Sequence, residues 1–168
     1  MEGHTPRGFQ GMGTGLFAGD NLNPNFPNGD GVQIFLTFDL SNLPDGDVLS
    51  ATLQTNSINL RGSPFEDLGA LNAEEIRYDK FSSALWDKDT LVDGHACELA
   101  EKAGDEFRCD VTDVVRRSRL DGYRYAQFRL RMERAGDGDG NADLVAFFKT
   151  DSNTNEPGIF EIEIKLDR

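Results

Sequence analysis

Between Val32 and Leu40 the side chains alternate with a period of two. Val32, Ile34, Leu36, Phe38 and Leu40 fall on one side, and Gln33, Phe35, Thr37 and Asp39 on the other. Such a period fits a pleated strand with one buried face and no helix. It recurs at Phe128, Leu130 and Met132 against Gln127, Arg129, Arg131 and Glu133. It recurs again at Phe160, Ile162, Ile164 and Leu166 against Glu161, Glu163 and Lys165. Three such stretches spread over the chain point to antiparallel sheets closing on a shared core, with the C-terminal strand locked in place.

The connecting segments extend this reading. Leu43-Pro44-Asp45-Gly46 carries the Pro and Asp-Gly of a reverse turn, so a second strand is expected near 48–60. In that strand the apolar side shifts from Val48, Ala51 and Leu53 to Ile58 and Leu60, which suggests a bulge. Residues 61–73 read as a loop, 75–80 as a short strand, 98–104 as one or two helical turns ending at Gly104, and 107–111 as a strand. Thr112 stands where an N-cap belongs, ahead of Asp113 and before Arg116, Arg117 and Arg119, so a two-turn helix closing at Gly122 is expected. Strands follow at 124–134, at Leu144–Lys149 and from Ile159 to Leu166.

The expected architecture is all-β: an antiparallel two-sheet jelly-roll β-sandwich with one short helix. A length of 168 residues suits one domain with one core. We divide it into a Gly/Asn-rich N-terminal arm, residues 1–30, with one edge strand around Leu16 and Phe17, and a sandwich domain, residues 31–168.

Charge narrows the partners. Seventeen Lys and Arg against 30 Asp and Glu give a formal −13, which repels a phosphate backbone or an anionic membrane and argues against nucleic acid. No apolar run is long enough to insert into a bilayer. The two histidines, His4 and His95, have no acid or nucleophile motif beside them, so catalysis is not expected. Acidity, Gly- and Asn-rich loops and a pair of cysteines together imply a secreted or cell-surface chain whose leader has been removed.

Several short stretches stand in a particular order. Phe38-Asp39-Leu40-Ser41 is followed by Leu43-Pro44, Ser50-Ala51-Thr52-Leu53, Trp86, Asp110-Val111-Thr112 and Phe128-Arg129-Leu130-Arg131. In this order and spacing the chain resembles the DNRLRE-type jelly-roll domains of secreted bacterial and archaeal proteins, over roughly residues 30–168. It departs from them in an insertion at 87–108 associated with the two cysteines. It also departs at Glu156-Pro157-Gly158-Ile159-Phe160-Glu161-Ile162, where a Pro-x-Leu-x-Val ending is commoner. The resemblance implies a noncatalytic module, some relatives being similar to alginate-binding carbohydrate modules and others to surface or filament proteins.

The sharpest local signal is Gly136-Asp137-Gly138-Asp139-Gly140-Asn141-Ala142-Asp143. Asp137, Asp139, Asn141 and Asp143 set oxygen-bearing side chains at alternate positions of a tight loop, a donor set suited to Ca²⁺. Ala142 and Phe148 stand where an EF-hand needs Gly and Glu, so the alternatives are a free-standing calcium loop or a solvated Asp/Gly hairpin. Asp20, Asn21, Asn23, Asn25, Asn28 and Asp30 form a vaguer oxygen-rich stretch that reads more simply as turns.

Cys97 and Cys109 lack metal-ligand spacing and suit a disulfide worth up to about 3 kcal/mol; two buried thiols are the alternative. A polysaccharide face, for a glycan of either neutral or acidic kind, would draw on Trp86, Tyr78, Tyr125, Gln127, Arg129 and Arg131, with Tyr123, Phe35 and Gln33 nearby. Against that role, Trp86 suits a core plug, and Arg129 and Arg131 could pair across strands with Glu161 and Glu163. The functional expectation is a noncatalytic, calcium-stabilised polysaccharide-binding module. The alternative is a subunit of an extracellular filament or surface layer, forming homo-oligomers as the arm adds a strand to a neighbour's open edge.

Overall fold

The computed structural model describes residues 2–6, 15–20, 31–55, 58–148 and 160–167, with side chains left out at 2–6, 15 and 148. They form two antiparallel sheets, a β-sandwich. In the larger sheet the strand order is β5 (Ile58–Arg61), β10 (Asp143–Phe148), β2 (Gly15–Asp20), β3 (Val32–Asp39), β9 (Tyr125–Met132), β6 (Leu71–Glu75) and β7 (Cys97–Ala100). β1 (Glu2–Pro6) also pairs with β3. The smaller sheet runs β11 (Glu161–Asp167), β4 (Asp47–Gln54) and β8 (Arg108–Asp110). Two short helices, α1 (Pro64–Leu68) and α2 (Thr112–Leu120), lie off the sheets. Among the described residues no helix is long and apolar enough to cross a membrane.

The core lies between the sheets. Ile34 and Leu36 of β3 and Phe128 and Leu130 of β9 face Ala51 and Leu53 of β4, with Ile162, Ile164 and Leu166 of β11 packed against them. At one end Phe65, Phe107, Phe147 and Phe160 form a run of tilted ring contacts, with centroids 6.1, 5.8 and 4.8 Å apart. This run joins α1, β10 and the segments leading into β8 and β11, where edge-on rings add to the area they bury. Val111, Val114 and Val115 of the α2 region close the side of the same core.

A second layer explains why β3 and β9 are buried on both faces. On the far side of the larger sheet Phe35, Ile76 and Leu85 form a separate cluster with Tyr78 and Phe81. The chain from 76 to 88, with a single 3-10 turn at Ser83–Leu85, thus lies over that face. The alternation in β3 and β9 assigned the inward sides correctly, but a loop rather than water covers the polar side.

Four expectations are corrected. The 48–60 strand is two strands in different sheets: β4 pairs with β11 and β8, whereas β5 pairs with β10. The shift of the apolar side marks that change of sheet. The 61–73 loop contains α1, started by Pro64 at its first turn, and the opening of β6. The strand expected at 75–80 lies instead at 71–75, since Glu74 and Glu75 are buried and paired. The helical turns expected at 98–104 are β7 and a following turn, because Leu99 and Ala100 pack into the core from a strand paired with β6.

The stretch around Leu16 and Phe17 is no edge: β2 pairs with β10 at six positions and meets β3 at Gly19–Val32. Thr112 also has a different task. Its hydroxyl accepts from the Ala51 amide at 2.9 Å and donates to Asp110, while its own amide donates to Asp110 Oδ1 at 2.8 Å. The residue thereby ties the helix start to β4.

Candidate metal centre

The acidic loop joins β9 to β10 and is folded by its own side chains. Asp137 Oδ1 accepts from the Asp139 amide at 3.0 Å, and Asp139 Oδ1 accepts from the Asn141 amide at 2.6 Å. The Asn141 side-chain amide donates to Asp139 Oδ2 at 2.9 Å. These are the Asx turns that Asp and Gly in alternation favour. The hydrogen bonds from Asn141 hold the Asp139 carboxyl below its usual range.

Asp143 opens β10 and is only 2% exposed. Its Oδ1 accepts from the Ser63 amide at 2.6 Å, while its Oδ2 has no partner among the described residues. Two glycines make room for it. A Cβ at Gly19, with φ +132°, would fall 2.1 Å from the Asp143 carbonyl oxygen, and one at Gly62, with φ +70°, would fall 2.2 Å from Asp143 Oδ1. Both positions combine a left-handed backbone with a close approach that only glycine tolerates.

Around Asp143 the fold gathers Asp67, Asp137 and Asp139, each offering an oxygen, with all four atoms within 4.8 Å of one another. Oxygens on opposite sides of one Ca²⁺ stand about 4.8 Å apart when each lies about 2.4 Å from the ion. The separations therefore suit a single hard cation, and an all-oxygen donor set disfavours soft metals. Asp67 comes from α1, which Arg134 anchors by donating Nε to the Asp67 carbonyl at 2.9 Å and its amide to Leu68 O at 2.9 Å. Asp20 stands behind the loop, opposite Asp143 in the β2–β10 register and accepting from the Asp137 amide at 3.3 Å.

The electrostatics would favour a positive charge at this cluster. Burial raises the Asp20 carboxyl above its usual value, and the charges of Asp137, Asp143 and Asp139 add to this against the lowering by the Asp137 amide. Burial likewise raises Asp67, with Asp143, Asp137 and Asp139 contributing. Carboxylates so close repel one another unless a cation or a proton intervenes.

Three of the four clustered acids were legible in the loop. Asp67 was not, because it comes from some seventy residues earlier and is placed only by the fold. A short helix at Ser63-Pro64 was the available signal. Asp20 was noted only within an oxygen-rich stretch, of which Asn21 to Asp30 lie outside the described residues.

Of the expected sugar face only part is brought together: Trp86, Gln33 and Arg131 share a cavity of about 150 Å³, which none of Tyr78, Tyr125, Gln127 and Arg129 lines. Trp86 is 6% exposed and Gln127 and Arg129 are 3%. Gln127 is fully engaged, its Nε2 donating to Tyr78 O at 2.9 Å and Thr37 Oγ1 at 3.1 Å, and its Oε1 accepting from the Tyr78 amide and the Tyr123 hydroxyl. Arg129 donates Nε to Glu74 Oε2 at 2.6 Å and NH1 to the carbonyls of Leu85, Trp86 and Lys88 at 3.1, 3.0 and 2.8 Å. Arg131 reaches Glu74 Oε1 at 2.7 Å. The pairing with Glu161 and Glu163 is thus corrected: those residues belong to the other sheet, and β6 lies beside β9, setting Glu74 against Arg129. Tyr125 remains half-buried at the start of β9. It forms an edge contact with Tyr123 at 5.9 Å, with Arg124 over its ring at 5.3 Å and Arg77 over Tyr123 at 4.4 Å.

Cys97 and Cys109 form a disulfide with Cα atoms 5.9 Å apart. It joins β7 of the larger sheet to β8 of the smaller.

No protein-family model matches the chain, and no curated protein matches it in sequence. The stretches that carry the resemblance have structural duties here. Asp39 accepts from the Ser41 amide at 2.9 Å and pairs with Arg124, Asp110 holds Thr112, and Arg129 holds Glu74.

Proposed function

We propose that the chain is a noncatalytic extracellular module, a disulfide-linked β-sandwich stabilised by Ca²⁺, that binds polysaccharide as an accessory or cell-surface domain. The observation that carries the calcium part is the buried Asp143 Oδ2, unpartnered and set among the carboxylates of Asp67, Asp137 and Asp139. A buried charged oxygen without a partner costs several kcal/mol, and a cation is the group that would satisfy all four acids together. Extracellular Ca²⁺ is abundant enough to fill an oxygen site of modest affinity, and a disulfide suits the same compartment. The polysaccharide part is supported by the half-buried Tyr123–Tyr125 pair, an aromatic patch at the surface with Arg77 over one ring and Arg124 over the other, on which a sugar's C–H face would rest.

A thermal melt in Ca²⁺ and in chelator tests the ion. At a hundred times the dissociation constant, binding adds about 2.7 kcal/mol, or about 5–11 °C for a domain of this size. Mg²⁺ should do less, and Asp143→Asn should abolish most of the shift. Coincident melts would remove the site. Retardation in affinity gels cast with neutral and acidic polysaccharides tests the ligand.

Self-assembly by strand addition has less support, since β1 pairs with β3 of its own chain. Deleting residues 1–14 leaves β2 in place and tests it: light scattering that falls from assembled particles to monomer would favour assembly through the arm.

A further inference from the structure

Where the two sheets meet, a cavity of about 570 Å³ opens between β4, the end of β6, the segment before β7 and the first turns of α2. Its volume falls among those of small-molecule sites. The disulfide lies beside it: Ala96 and Asp110 of its lining are the chain neighbours of Cys97 and Cys109. Bracing comes from the Ala96 amide, which donates to Ala73 O at 2.7 Å, and from the bonds of Thr112 to Ala51 and Asp110.

Glu75 lines this cavity and is 1% exposed. Its Oε2 accepts from Arg117 Nε at 3.1 Å, but its Oε1 has no partner among the described residues. A buried acceptor left open in a braced cavity calls for a donor from outside the chain. Burial raises the Glu75 carboxyl, against the lowering by Arg117, so the site gains from a donor whether or not it carries charge. At the mouth Leu49 is 56% exposed, a large apolar side chain on a strand that otherwise shows polar groups outward, and Val92 shares the lining.

The charges choose among ligand classes. Glu75, Asp110 and Asp113 oppose Arg116 and Arg117, a balance of one negative charge among these five side chains. The start of α2 is no anion site either, because Asp110 already takes the Thr112 amide and Asp113 occupies the first turn. A multiply charged anion is therefore disfavoured. A neutral polyol fits: its hydroxyls both donate and accept, and its C–H face matches an aliphatic rim.

We propose that this cavity binds one neutral sugar unit, a hydroxyl donating to Glu75 Oε1 and the ring face resting on Leu49 and Val92. The assignment rests on the polysaccharide reading above and specifies where and what kind of glycan is held. The test is amide chemical-shift mapping of the intact, oxidised chain titrated with glucose, mannose and galactose and their tetrasaccharides, with a tetra-uronate as the acidic probe. One neutral series should move the amides of Val92, His95 and Thr112 to Val114. Glu75→Gln should weaken that binding about tenfold, the scale of a lost hydrogen bond to a charged group. Leu49→Ser, at an exposed position where folding is not at risk, should weaken it about threefold.

Neutral-sugar binding that moves only Tyr123 to Tyr125 and is indifferent to Leu49→Ser overturns the cavity and leaves the polysaccharide reading standing. Binding of the tetra-uronate in the cavity in place of every neutral sugar overturns the ligand class. Silence toward all probes, together with no retardation by any polysaccharide gel, overturns both.

Discussion

Replacing Arg129 with Met distinguishes a structural arginine from a ligand-binding one. The side chain is 3% exposed, bonded to Glu74 Oε2 and to three carbonyls of the covering loop. Removing one member of a buried pair costs about 3–5 kcal/mol, mostly because the remaining charge stays buried. Here Glu74 keeps Arg131 on its other oxygen, which places the loss near the lower end, about 3 kcal/mol. The carbonyls of Leu85 and Trp86 are buried with the arginine and lose their donor as well, which adds about 1 kcal/mol. Arg129→Met should thus cost about 4 kcal/mol in urea unfolding, and about 8–16 °C in melting temperature. Arg131→Met, at a side chain 47% exposed, should cost no more than about 1 kcal/mol. The double change Glu74→Leu with Arg129→Met should recover part of the loss, since no charge is then stranded. Protease should cut the variant first between Leu85 and Lys88. If Arg129→Met unfolds at the native urea midpoint yet loses retention on polysaccharide gels, the reasoning is wrong and Arg129 contacts the ligand.

Two further outcomes follow from the acidic rim and the inter-sheet link. In chelator, Asp20 and Asp67, whose carboxyls are raised from 3.8, bind more protons folded than unfolded. Stability they contribute is present at low pH and is lost as pH rises from about 4 through their folded values. Saturating Ca²⁺ should flatten that decline, so the gap between urea midpoints with and without the ion should widen with pH. A constant gap would count against the linkage. Changing Cys97 and Cys109 together to Ser frees a loop closed by residues 12 apart and should cost about 3 kcal/mol. Calorimetry should show the melt about 6–12 °C lower, and sugar binding in the cavity beside the link should weaken.

The strands with one wet face and one dry face were readable because each residue's burial follows its own position in the pleat: β3, β9 and β11 fall within a residue or two of their expected bounds. Reading failed where burial depends on a distant partner. Leu71-Asn72-Ala73-Glu74-Glu75 is buried at every position, yet nothing local marks it as a strand, because Glu74 is neutralised from β9 and Glu75 from α2. The expected strand at 75–80 was displaced for the same reason. Cys97-Glu98-Leu99-Ala100 has as much helical as extended character by itself, and its pairing with β6 decides. At the acidic cluster the loop declared its own three aspartates, whereas Asp67 enters through α1. Arg129 and Arg131 looked equivalent by periodicity, and only the covering loop makes one of them interior.

The covering loop also limits the shape of anything the module recognises. Trp86, Leu85 and Phe81 occupy the outer face of β3 and β9, so among the described residues these two strands offer no open trough there for a long chain. The outer side of the smaller sheet is exposed, but its residues there are Glu161, Glu163 and Lys165 of β11, Thr52 and Gln54 of β4, and Arg108 and Asp110 of β8. It has no aromatic ring to stack on a sugar. Among the described residues what remains are rims: the Tyr123–Tyr125 pair, the cavity beside the disulfide and the smaller one beside Trp86. A ligand seated at a rim gains contacts only over its first few units, so affinity should rise from mono- to trisaccharide and then level. Calorimetric titration with a ladder of one glycan's oligomers checks this. Affinity that climbs steadily beyond six units would require a continuous binding track along a sheet face, and would mean that the loop between Ile76 and Lys88 lifts away when the polymer binds.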